Sequence, residues 1–382
     1  MGDVLACLRG WHPALALAEL RTLLPDAIMT GTGIDRWWRM EGEQASQRHD
    51  VLEMSSGLQC FLIDGVVTST DGLLQADWLE RMRAYLLAHP VPGSVAVRAW
   101  KQGGKIPSWS LSALAGQLGG LLHDMGRSID LDAPDHVLAL IGDGPSTSLA
   151  CGWMEGDGQA AFSSGQRRAG ERPFFKPVSL DPRLARLAVN LASGPIHRGP
   201  VVDPMTGTGG FLIEASLSGR PCIGLDIHSE MVQGATMNLA WAHDDDVPSE
   251  SSVKRGDATR LEDALPEAWI GKVAGFVLDP PYGRNSHGSM QADQLLEAAM
   301  TSAHTVACPD AGFVLILPMH PMTPHPMTSL PLDSNINLLN GEWKELLATV
   351  ERCGWTPLSV HAERVHRSLS RLILHAKYAP QD

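Results

Sequence analysis

Apolar positions recur along this chain at two periods, and the alternation between them lays out its elements. From Gly10 to Pro25 leucines fall at helical spacing, which predicts a helix. Residues 57–67 are rich in apolar and β-branched side chains and predict a strand. A strand at 94–101, a helix at 110–124 and strands at 136–141 and 148–154 follow. Residues 156–176 carry Gly, Ser and Arg without apolar periodicity and predict a linker. Beyond it come a helix at 181–192 and a strand, turn and helix across 201–215. Short strands then end at Asp226, at Asp257 and, after the apolar run Val273–Leu278, at Asp279. The pattern closes with a helix at 291–307, a strand at 312–317, a proline-punctuated loop at 320–341, a helix at 342–353 and an antiparallel pair at 358–365 and 370–377. Strands alternating with helices predict a doubly wound α/β domain in the C-terminal half.

The strand ends carry the candidate chemistry. Val201-Val202-Asp203 runs into Pro204-Met205-Thr206-Gly207-Thr208-Gly209-Gly210, a glycine turn that opens a helix. Glycines there let a ligand approach the backbone, and a helix N-terminus favours a carboxylate or phosphate. Leu212 stands where a dinucleotide fingerprint needs its third glycine, which weakens a nicotinamide or flavin reading. Asp226 follows about 20 residues after the turn, the place of an acid that grips a ribose diol. Asp257 ends the next strand and is suited to accept from an adenine amino group. One such aspartate alone is an ordinary loop cap; four at successive strand ends predict one crevice at the carboxyl edge of the sheet.

The fourth acid opens Asp279-Pro280-Pro281-Tyr282. The carboxylate and the Pro280 carbonyl offer two acceptors for the two N–H groups of an exocyclic amine. Prolines restrict the backbone that aims that carbonyl. Tyr282 supplies a ring on which a base stacks. Accepting both protons returns density to a delocalised nitrogen and points it at a methyl donor, which is positioning plus electrostatic stabilisation. The motif serves guanine N2 and adenine N6 equally.

These stretches, together with Arg172-Pro173-Phe174-Phe175, Ser179-Leu180-Asp181-Pro182-Arg183, the Gly283-Arg284 pair and Arg364-Val365-His366-Arg367-Ser368-Leu369, resemble class I S-adenosylmethionine-dependent methyltransferases. More narrowly, the chain resembles the THUMP-containing tRNA (guanine-10-N2)-methyltransferases. The likeness covers residues 165–377 well and the first 160 loosely. Met205-Thr206 departs from the Phe-Cys common in relatives. The resemblance implies a Rossmann-like methyltransferase domain at 179–382, preceded by a ferredoxin-like unit at 1–68, a THUMP RNA-binding domain at 69–155 and a linker at 156–178. It implies catalysis by Asp279, Pro280 and Tyr282. It implies S-adenosylmethionine held by Asp203, Thr206, Gly207, Thr208, Gly209, Asp226, Ile227, Asp257 and Ala258. It implies a tRNA substrate and, as in some relatives, a small activating partner protein. An adenine-N6 methyltransferase on RNA or DNA and a non-catalytic RNA-binding scaffold stand as alternatives.

Composition narrows the setting. With 382 residues the chain has room for two or three domains, and 44% hydrophobic content suffices for sizeable cores. No apolar run approaches the length of a membrane span, and residues 1–8 lack a secretory pattern. Six scattered cysteines form no Cys-x-x-Cys pair, so no metal site is expected and a reducing cytoplasm is. The net charge of −13 argues against strong nonspecific nucleic-acid binding, yet local clusters remain. Arg167, Arg168, Arg172 and Lys176 crowd the linker, and Arg364 and Arg367 stand near the end. Both clusters are candidate RNA contacts.

Overall fold

A computed structural model describes residues 4–42, 45–158, 167–176, 179–195, 199–280, 292–321 and 328–380. Its contacts divide the chain into two compact units. The first holds Met1–Gly10, Asp26–Leu52 and Leu58–Ala161. The second holds Trp11–Pro25, Glu53–Gly57 and Phe162–Asp382.

The first unit is built on one seven-stranded sheet. Its strands are β1 (Val4–Leu8), β2 (Ile28–Gly31), β3 (Trp37–Glu41), β4 (Leu58–Ser69), β5 (Val95–Gln102), β6 (His136–Asp143) and β7 (Ser148–Glu155). They lie in the order β2-β3-β1-β4-β7-β6-β5, antiparallel throughout except for β5 with β6. The expected boundary at residue 68 falls inside β4, which pairs with β1 on one side and β7 on the other. Strands of both expected N-terminal segments therefore share one sheet. The remaining helices of the first half are α2 (Ala45–Met54), α3 (Gln75–Ala88) and α4 (Leu111–Asp124). The last two bury Trp78, Met82, Leu114 and Leu118 in a core with Leu138 and Leu140.

The helix α1 (Pro13–Leu23) belongs to the second unit, although it lies in the first 25 residues. It buries Leu15, Ala16, Glu19, Leu20 and Leu23, a stripe at helical spacing. His12 caps it: Leu15 N donates to His12 Nδ1 at 3.1 Å, which leaves Nε2 to donate to Ala362 O at 3.0 Å. Burial pushes the His12 pKa down to about 4, so the neutral ring that this bonding needs is the stable form.

The rest of the second unit follows the predicted alternation: α5 (Pro182–Ser193), β8 (Val201–Asp203), α6 (Gly210–Leu217), β9 (Cys222–Asp226), α7 (Ser229–Ala242), β10 (Ser251–Arg255), α8 (Leu261–Ala264), β11 (Val273–Leu278), α9 (Ala292–Val306), β12 (Ala307–Met319), β13 (Thr328–Leu330), α10 (Trp343–Arg352), β14 (Trp355–His366) and β15 (Leu369–Tyr378). The sheet order is β10-β9-β8-β11-β12-β15-β14-β13. The first five of these are parallel, and β15 runs antiparallel to β12 and β14. Strand order reverses between β8 and β11, the switch point where such sheets open a crevice. Every residue of β11 is buried, because both faces are covered. Val277 packs with α5 and α6, while Phe276 and Leu278 pack on the opposite face. Gly275 allows α5 close: a Cβ there would lie 2.8 Å from the Ala192 carbonyl carbon. Within the expected loop at 320–341, Thr328–Leu330 forms the edge strand β13 against β14.

Candidate functional site

Three of the predicted acids meet at the switch point. Asp203, at the end of β8, is 1% exposed. Met205 N donates to its Oδ1 at 3.3 Å, and Oδ2 has no hydrogen-bond partner among the described residues. Burial, with the nearby charges of Asp279 and Asp226, pushes its pKa up to about 8. Asp279, half-buried, follows β11 directly, with Pro280 beside it. Pro281, Tyr282, Gly283 and Arg284 lie outside the described residues.

The glycine turn is tied down on three sides. Thr206 N donates to Leu225 O at 2.8 Å, and Gly207 N donates to Asp226 Oδ2 at 3.1 Å. His228 N donates to the other Asp226 oxygen at 2.9 Å. Ser179 and Thr208 share a hydroxyl hydrogen bond of 3.1 Å, which links the segment before α5 to the turn. Gly207 and Gly209 have φ of 51° and 80°, the left-handed region that glycine occupies without strain. Gly224 lies beneath: a Cβ there would stand 2.7 Å from Thr206 Oγ1. Ile227, next to Asp226, is 57% exposed. Asp257 is exposed and caps its own loop, with Thr259 N and Oγ1 both donating to Oδ1, at 2.9 and 2.8 Å. Ala258 is buried.

Two further residues hold this site together. Asn238 on α7 donates to Thr208 O at 2.9 Å and Phe174 O at 2.8 Å, and accepts from Phe174 N at 2.9 Å. Glu214 on α6 is fully buried and accepts from Arg167 at 2.8 Å and Arg186 at 2.9 Å. Neither belongs to a motif; each reveals itself only through tertiary partners.

The predicted RNA clusters fare differently. Arg172 is 4% exposed and gives Nε and Nη2 to the Arg167 carbonyl, at 3.3 and 3.2 Å. It is an interior residue, contrary to the surface role expected from its cluster, because Glu214 and the Arg167 carbonyl draw these guanidinium groups inward. Its Nη1 has no hydrogen-bond partner among the described residues and lies near Gly210 at the start of α6. Lys176 pairs with Glu230 at 2.8 Å, and Arg168 is exposed. Arg364 and Arg367 are exposed at the β14–β15 turn. Ser370 pairs with Met319, so that turn sits at the carboxyl edge of β12, the edge that bears Asp203 and Asp279. Among the described residues, no group of His, Cys, Asp or Glu is placed to hold a metal ion, and no helix is long and apolar enough to cross a membrane.

A doubly wound sheet with acids converging on a glycine turn at its switch point, closed by an antiparallel pair, defines a Rossmann-like class I methyltransferase domain. Residues 169–335 match the family described as RMKL-like, methyltransferase domain. The chain is 30% identical over 388 aligned positions to a tRNA (guanine(10)-N2)-dimethyltransferase of Methanothermobacter thermautotrophicus, covering 97% of this chain and 98% of that one. It belongs to that family. A relative of the same name from Pyrococcus abyssi is 35% identical over 189 residues, 50% of this chain and 53% of the relative, so that match spans about half of the relative's length. Among solved structures, TrmN from Thermus thermophilus shares the fold with a TM-score of 0.50 and 20% identity, covering 98% of this chain and 99% of that one.

Proposed function

We propose that this protein transfers methyl groups from S-adenosylmethionine to the exocyclic N2 amine of a guanine in tRNA, guanine 10 being the position named for its relatives. The observation that carries this reading is Asp279-Pro280 at the end of a fully buried strand, electrostatically coupled to Asp203 across the switch point.

The residues present fit such a donor. Asp279 and Asp226, whose charges both disfavour ionisation of Asp203, make a site that suits a cationic ligand. Arg172 Nη1, unpartnered among the described residues and beside the α6 N-terminus, suits a carboxylate. Asp226 would accept from ribose hydroxyls, Ile227 would cover one face of the adenine, and Asp257 and Ala258 would border its edge. Thr206, Gly207, Thr208 and Gly209 would wrap the amino-acid end. When bound, the donor supplies an electrophilic methyl on a sulfonium.

The chain's own part is to present the amine. The Asp279 carboxylate and the Pro280 carbonyl each accept one amine proton, which directs the nitrogen lone pair towards the methyl. Tyr282 stacks on a base drawn out of its helix, an extrusion that costs a few kcal/mol. Contacts elsewhere on the tRNA offset it. We assign those contacts to a THUMP domain within the first unit, to Arg168 and Lys176, and to Arg364 and Arg367 at the carboxyl edge. A small activating partner and a cytoplasmic setting complete the reading.

Digestion and mass mapping of a tRNA transcript treated with protein and donor tests it. N2-methylguanosine and N2,N2-dimethylguanosine are expected. N6-methyladenosine would replace the guanine reading with an adenine one. No methylated nucleoside and no S-adenosylhomocysteine binding would leave a scaffold.

A further inference from the structure

The first unit holds a cationic cavity remote in sequence from every residue assigned above. Its sheet curls until β3 and β5, far apart in strand order, touch: Trp37 Nε1 donates to Gln102 Oε1 at 2.9 Å. Gln102 Nε2 in turn donates to Gln59 Oε1 at 2.6 Å and Leu8 O at 3.3 Å. These bonds make a rigid floor. Beside it opens a cavity of about 190 Å³ whose lining, among the described residues, includes Arg9, Arg36 and Lys101 and no acidic residue. That is a sharp local reversal in a chain of net charge −13.

The cations are arranged rather than scattered. Arg9 Nε donates to Leu58 O at 3.1 Å, which fixes that side chain. The Arg36 guanidinium lies against Gly10, where a Cβ would come within 2.7 Å of its Cζ. Neither Arg36 nor Lys101 spends its charge on any hydrogen bond or ion pair among the described residues. Trp100 forms a wall, and its buried Nε1 has no acceptor among the described residues.

We propose that this cavity binds a phosphate group of an RNA strand. The Arg36 guanidinium fork beside the Lys101 ammonium recognises phosphate oxygens better than any neutral ligand. Drug-sized and cofactor ligands occupy pockets of roughly 300 Å³ or more, so this smaller space suits a phosphate with part of its sugar. The phosphate comes from RNA on the reading that tRNA is the substrate. A free nucleotide offers the same chemistry.

The test uses the full chain, a labelled tRNA transcript and anisotropy at several salt concentrations, with 5′-AMP and inorganic phosphate in parallel. Combined Arg36→Gln and Lys101→Gln should weaken tRNA binding on the order of tenfold per cation. The salt dependence should become shallower by about one contact for each. Gly10→Ala, which displaces Arg36 without removing charge, should give a smaller loss in the same direction. S-adenosylhomocysteine affinity should stay at the wild-type value in all variants, which shows that they are folded. Unchanged tRNA affinity and salt slope in the double variant would overturn the proposal. So would loss of 5′-AMP or phosphate binding with tRNA binding intact, which would make the ligand a free nucleotide. A wild-type protein that bound tRNA through this cavity yet methylated no guanine would defeat the functional reading and leave the cavity standing.

Discussion

Gly207 donates its backbone N–H to Asp226 Oδ2 at 3.1 Å, so the acid at the end of β9 also fixes the glycine turn at the end of β8. One side chain thereby serves two tasks. It would accept from the ribose, and it shapes the loop that would surround the rest of the donor. Asp226→Ala removes both, and a charge-assisted bond alone is worth about 1.5–3 kcal/mol. We expect S-adenosylhomocysteine affinity to fall by at least tenfold, measured by calorimetry. An unchanged affinity would place the donor elsewhere.

Asp279 has a different duty. It follows β11 directly at the carboxyl edge of the sheet, on a different strand from the turn that would hold the donor. Asp279→Ala should lower turnover by roughly 10²–10³, the typical cost of losing one orienting group, and leave S-adenosylhomocysteine binding in place. Retention of more than about a tenth of wild-type turnover would remove Asp279 from catalysis.

The buried carboxyl of Asp203 makes a prediction about pH. Its folded pKa, about 8, lies above the unfolded value of ~3.9. A carboxyl raised in this way contributes stability that is complete below the unfolded value and is lost as pH rises towards the folded one. Asp203→Asn removes that slope, because the amide does not titrate. Compared by urea unfolding without donor, the variant should gain on wild type by on the order of 1 kcal/mol per pH unit between pH 5 and 8. The gain should level off above pH 8. Parallel stability curves would mean that Asp203 is ionised in the fold.

Much of this site was legible because strand-end chemistry is local. Asp203, Asp226 and Asp279 each follow an apolar run directly, and a sheet that reverses order at β8 and β11 must gather such ends. Arg172 shows the limit. Its neighbours along the chain look like a basic patch, but a buried Glu214 on a helix some forty residues later sets the direction of the cluster. Asn238 was invisible for the same reason, since its three partners lie in two distant segments. The strands β1, β2 and β3 went unread because their short runs lack the glycine turn or strand-end aspartate that marks the equally short β8, β9 and β10.

Helix α1 is the largest departure from chain order, and it changes how the protein can be cut. The sequence suggests that a piece beginning near residue 156 would fold alone. In the structure Glu19 of α1 is fully buried and accepts from Ser56 N at 3.1 Å, Gly57 N at 2.8 Å, Ser55 Oγ at 2.5 Å and Asn190 Nδ2 of α5 at 2.7 Å. Ser56 Oγ also donates to Arg183 O at 2.8 Å, and the Arg183 guanidinium lies 5.6 Å from the Trp11 ring centre. Removing residues 1–155 would strip α1 and the 53–57 segment from α5 and expose Leu15's partners in the core on that face. The truncated protein should therefore unfold or aggregate rather than bind donor. Glu19→Ala in the full chain should reproduce part of this loss, since it leaves several buried donors without an acceptor. A destabilisation on the order of 3 kcal/mol is expected, read as a lower urea midpoint. A soluble fragment 156–382 that bound S-adenosylhomocysteine with wild-type affinity would show that α5 does not need this cover.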